Sequence, residues 1–229
     1  MNSVLVPMRA TNERVQMNHA QKDTRFIVYS GVAGLSSGLL TSYASASHIL
    51  GNAGSLFLPG IIFGLAIAVW LRLCSCLCSI WKMIIFMAGC VVASYLSIAA
   101  ALLVHLHLTL RLDAFRTRTS PIAPETYFAG GFTGACLILL TTLFLTEPHR
   151  SLGDTLMGAL AGALVGGGLG VAAEEASSVL YGSYGHMLPY LARAGGADAV
   201  LIIFWETGMA LVLAFTLFAC SNLNRNSQN

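Results

Sequence analysis

The chain has 229 residues, of which 10% are charged and 56% hydrophobic, with a mean hydropathy of +0.73. A soluble domain carries roughly 25% charged residues, so the expected surroundings are a lipid bilayer, not water. A formal charge of +2 is too small to imply a nucleic-acid partner. Hydrocarbon admits only helices or closed barrels, and the long apolar stretches predict an all-α fold, a polytopic membrane helical bundle.

Residues 1–25 are polar, with Arg9, Arg14, Lys22 and Arg25 set against Glu13 and Asp23. They lack the apolar core of a secretory signal and read as a retained cytoplasmic N-terminal tail. Residues 26–221 read as a six-helix transmembrane domain, and 222–229 as a short cytoplasmic C-terminal tail. The predicted spans are 26–49, 56–74, 80–105, 126–146, 155–173 and 200–220, each long enough to cross about 30 Å of hydrocarbon.

The first span repeats small residues every fourth position at Ser30, Gly34, Gly38, Ser42 and Ala46. In the second, Gly60, Gly64 and Ala68 do the same, and Pro59 falls in the first turn, where an N–H is not needed. The third span could stay helical to Leu110. Ser120, Pro121 and Pro124 mark a turn region before the fourth. The fifth carries Gly158, Gly162, Gly166 and Gly170, flanked by Gly167 and Gly168. Such stripes let helix backbones approach closely; they serve a tight bundle, or surfaces that slide between two states. Shifting by 98 positions maps Gly60 onto Gly158 and Gly64 onto Gly162, as an inverted three-span repeat would. The connection 174–196, with Tyr181, Tyr184, His186, Pro189 and Tyr190, suits an interface belt or a short half-helix over the outer mouth.

Lysine and arginine set the orientation. With the N-terminus inside, the inner segments hold Arg9, Arg14, Lys22, Arg25, Arg72, Lys82, Arg150 and Arg225. The outer ones hold only Arg111, Arg116, Arg118 and Arg193. Both termini are therefore expected in the cytoplasm, and the expected location is the cell inner membrane.

The most expensive residue to place is Glu206, some six residues into the last span. An acid in hydrocarbon must be paired, protonated or wetted, and is a candidate ion or proton site. Glu174, Glu175 and Asp198 are predicted on the same side of the membrane, to draw cations toward the outer mouth. His48, His105, His107 and His186 fall near that side too, but no pair has ligand spacing, so the metal question stays open. Cys74, Cys76 and Cys78 form an interfacial thiol cluster, and all six cysteines lie in or beside apolar segments, where a thiol packs as a small hydrophobe.

No nucleotide, metalloprotease or dinucleotide fingerprint is present. The run Gly34-Leu35-Ser36-Ser37-Gly38 has no histidine placed to activate its serines. Neither a catalytic activity nor a cofactor is expected. Two readings remain: a small transporter or channel-like protein, coupled to a cation or proton through Glu206, and a non-catalytic scaffold or assembly protein. In the second, the glycine faces bind partner membrane helices or a second copy, and Glu206 is a buried clasp.

Overall fold

The computed structural model describes residues 6–46, 57–77, 79–112, 123–146, 151–184 and 197–226. These form α1 (Val6–Ala46), α2 (Leu58–Leu73), α3 (Ile80–Leu112), α4 (Pro124–Thr146), α5 (Leu152–Tyr184) and α6 (Ala197–Asn226), with no strand among the described residues. Four helices, α3 to α6, are long and apolar enough to cross a membrane, the makeup of a multi-pass integral membrane protein. Length and composition single out these four, where the sequence predicts six equivalent spans. α2 has 16 residues, short of the ~20 that a perpendicular crossing needs. In α1 serine, threonine and glycine dilute the apolar run.

Three boundaries differ from the sequence expectation. α1 begins at Val6, so the polar segment before residue 26 continues the same helix. α3 runs to Leu112. α5 continues to Tyr184, which places Glu174 and Glu175 within a helix and not in the predicted connection. No glycine or proline interrupts residues 171–181, so nothing local stops that helix. His48, His149, His186, Pro189 and Tyr190 lie outside the described residues.

The helix ends follow local chemistry. Pro59 occupies the first turn of α2. Past its end Ser75 takes a φ of 60°, and Arg72 Nη1 donates to the Leu77 carbonyl at 3.2 Å, closing the turn toward α3. At the start of α5, Ser151 Oγ accepts from the Asp154 N–H at 3.1 Å and donates to Asp154 Oδ2 at 2.7 Å. This N-terminal box satisfies one of the four orphan donors there. Ser151→Ala is expected to cost about 1 kcal/mol, read as a small fall in the thermal unfolding midpoint in detergent; an unchanged midpoint would remove the box from the account.

Each helix packs on its neighbours in sequence, and α6 returns to α1, so the six close into a ring. Short connections favour antiparallel neighbours, and the registers follow. Gly60 meets Cys90 and Val91, Gly130 meets Ala101, and Gly170 meets Tyr127. Along α1, Ser30 Oγ donates to the Ala210 carbonyl, and Ser42 Oγ to the Ala199 carbonyl at 3.2 Å. As α1 runs one way, its partners on α6 run back. The N-terminal end of α1 and the C-terminal end of α6 thus share one end of the ring.

Glycines set the closest approaches. A side chain at Gly34 would reach the Glu206 carbonyl at 2.7 Å, and one at Gly38 the Cα of Ile203 at 2.7 Å. Gly64 faces Cys90, while Gly162 and Gly166 face Leu139 and Ala135 of α4. Gly158 is only partly buried. The 98-residue offset does not carry over to the packing: Gly60 and Gly64 face the following helix, whereas Gly162 and Gly166 face the preceding one. Matching glycines at that offset therefore do not make equivalent interfaces.

The apolar core fills the half of the ring nearer the termini. Leu71, Leu77, Phe86 and Leu213 are wholly buried there, with Leu145 and Leu217 beside them. Outward faces carry exposed Val92, Leu103, Leu106, Phe144 and Leu164, side chains suited to lipid contact.

Candidate functional site

The seam between α1 and α6 builds the site. Ser30, Gly34, Ser37, Gly38, Thr41 and Ser42 recur at helical spacing on one face of α1, and all are buried. Because Gly34 and Gly38 lack side chains, that face lies directly on the α6 backbone. The approach delivers Ser37 to Glu206: Ser37 Oγ donates to Glu206 Oε2. Thr41, one turn further along the same face, brings a second hydroxyl near the carboxyl.

Glu206 is 1% exposed, yet its second oxygen, Oε1, completes no hydrogen bond among the described residues, and neither does Thr41 Oγ1. Among the described residues no lysine, arginine or histidine is bonded to it. From α3, Cys90 is close enough for the carboxyl's charge to act on its thiol. A single hydrogen bond is little for a group whose burial is so costly.

Inside the ring, at the end opposite the termini, lies a cavity of about 280 Å³. Its upper lining includes Pro59, Ala101, Thr126 and Leu201; its deeper lining includes Phe63, Cys90, Ile138 and Glu206. The distance from the level of Thr126 to that of Ile138 is about three helical turns. Trp205 forms one wall, its ring 6.2 Å from that of Phe63 and tilted by 47°. The lining is mainly apolar. Of its hydroxyls, Ser97 donates to the Gly130 carbonyl at 2.7 Å, whereas the buried Thr126 Oγ1 completes no hydrogen bond among the described residues.

Near the upper end, the Tyr127 hydroxyl interacts with Glu174 and feels the charge of Asp198. Tyr127 lines the upper part of the cavity, with Glu174 of α5 beside it and Asp198 of α6 near enough for its charge to act. Glu206 sits eight residues beyond Asp198, about 12 Å deeper along the helix. Glu175 is exposed and does not join them, because adjacent helical residues point about 100° apart.

The other candidates separate from the site. His105 and His107 are exposed on α3. No group of three histidine, cysteine, aspartate or glutamate side chains able to hold a metal occurs among the described residues. Cys74, Cys76, Cys90 and Cys136 are not in disulfides, and Cys78 lies outside the described residues.

Sequence reasoning missed Ser37, Thr41, Cys90, Tyr127 and Trp205. In sequence Ser37 reads as a nucleophile without a histidine; in the fold its partner is a carboxyl 169 positions away. The available signal was the spacing of Ser37 and Thr41, which places both hydroxyls beside the glycine stripe. No protein-family model matches the chain, and no curated protein or solved structure is significantly similar to it.

Proposed function

We propose that this chain is a small integral membrane transporter, coupled to a cation or a proton through Glu206. It would cross the cytoplasmic membrane six times with both termini inside. The observation that carries the reading is an asymmetry within the ring. A cavity in one half of the ring is lined by an under-paired buried acid, while an apolar core fills the half nearer the termini. An alternating-access protein has this form in one of its two states.

In hydrocarbon a carboxyl is neutralised by a proton or by a cation. Exchange of one for the other at Glu206, coupled to closure of the cavity and opening of the core, would link two fluxes. Glu174 and Asp198 at the rim would raise the local cation concentration. Arg25, Arg72 and Lys82 belong to the core-filled end, which supports placing that end in the cytoplasm. The glycine faces that a scaffold would offer to partner helices are occupied within the chain, which favours transport over assembly.

The test is flux in proteoliposomes carrying an internal pH-sensitive dye, with sodium, potassium and small organic ammonium ions supplied outside. Wild-type protein should move protons with at least one of them, and Glu206→Gln should slow that movement about tenfold or more. Flux unchanged by the substitution would end the role of Glu206; wild-type vesicles as tight as empty ones to every cation would end the transport reading.

A further inference from the structure

We propose that the cavity binds a small organic monocation, a protonated amine carrying an apolar body, with its ammonium group at Glu206. The inference rests on the transport reading and names the substrate class of the same site. Its first support is charge. Among the described residues, the lining includes one carboxyl, Glu206, and no lysine, arginine or histidine, so a cation finds a counter-charge there and an anion finds none.

Its second support is the shortage of ligands for a bare metal ion. A hard cation such as calcium requires six or more oxygen ligands to replace its hydration shell, and soft metals require several thiolates or imidazoles. The described lining supplies one carboxyl and one thiol, Glu206 and Cys90, and otherwise hydroxyls, aromatic rings and aliphatic groups. An ammonium is less demanding. Glu206 Oε1 is buried and unpartnered, an acceptor that a small shift of its side chain into the cavity would turn to one charge-assisted hydrogen bond.

The third support is the wall. Phe63, Ile98, Ile138 and Trp205 line the path, and apolar lining with a few placed polar groups is the usual makeup of a small-molecule site. Aromatic faces also attract organic cations. The volume of about 280 Å³ accommodates one ring with a short ammonium arm. With the ammonium at Glu206, the apolar body extends past Trp205 toward Thr126.

The experiment is isothermal titration of the purified full chain in mild detergent with benzylammonium, benzyl alcohol and benzoate. Benzylammonium should bind at one site, with the neutral and anionic isosteres about tenfold weaker or more. Glu206→Gln keeps the side chain's shape and should lower benzylammonium affinity about tenfold or more. Ile98→Trp fills the cavity while leaving the acid in place and should also lose binding; both variants are compared after eluting as wild type does. Equal binding of benzyl alcohol, unchanged affinity in Glu206→Gln, or no binding by wild type would overturn the proposal. Absent binding alongside Glu206-dependent flux of an inorganic cation rejects the substrate class and keeps transport. Binding without flux keeps the site and rejects transport.

Discussion

Gly131→Leu is expected to leave no monodisperse protein after solubilisation, whereas Gly168→Leu should elute and unfold as wild type does. Gly131 lies at the seam between α4 and α5, whereas Gly168 lies on the exposed face of α5, and the two differ in what a side chain would meet. At Gly131 a Cβ would run into the Gly166 carbonyl oxygen and then the Cα of Gly167. Those are backbone atoms of a neighbouring helix and cannot rotate away. At Gly168 nothing lies within 4 Å. Even alanine separates the two: Gly131→Ala should cost about 1–3 kcal/mol through overpacking, while Gly168→Ala should gain about 0.5–1 kcal/mol from helix propensity. Unfolding in graded denaturing detergent measures both, and equal midpoints would mean that close backbone approach does not hold this seam together.

The second large effect is a coupling between Ser37 and Glu206. Ser37→Ala removes the carboxyl's hydrogen bond and strands a buried acceptor, which costs about 1–3 kcal/mol. The double variant with Glu206→Met removes the polar pair altogether and should recover most of that loss, since a buried polar pair replaced by apolar groups is often neutral or better. Thr41→Val added to Ser37→Ala takes away the other hydroxyl near the carboxyl and should deepen the loss. The double-mutant cycle reads the coupling directly. Additive effects of the two single substitutions would show that Ser37 and Glu206 are not energetically paired. Restored stability with abolished flux in the double variant would separate the structural role of the pair from its transport role.

Much of the fold was legible because membrane helices announce themselves by composition. Four helices long and apolar enough to cross a membrane overlap the stretches that hydropathy marks. The stripe at Ser30, Gly34, Gly38 and Ser42 shows that α1 would pack closely on another helix, but a periodic stripe does not name its partner. That partner is α6, the most distant helix in sequence. The extension of α5 past Glu174 was hidden because polar residues such as Glu174, Glu175, Ser177 and Ser178 read as a connection when only hydropathy is followed.

The site divides in the same way. Glu206 could be picked out from the sequence alone because an acid among Ile202, Ile203, Met209 and Ala210 is costly wherever the helix lies. Composition and period likewise determine the helical class and the burial of the glycine faces, since both follow from local chemistry. Tertiary structure decided that Ser37 is the acid's partner, that Glu174 and Asp198 but not Glu175 act on Tyr127, and that Glu206 lines a cavity in the half of the ring opposite the termini. Those facts depend on which helix faces which across the closed ring. Helix order and rotation are settled by packing of all six elements together, and no single segment encodes them.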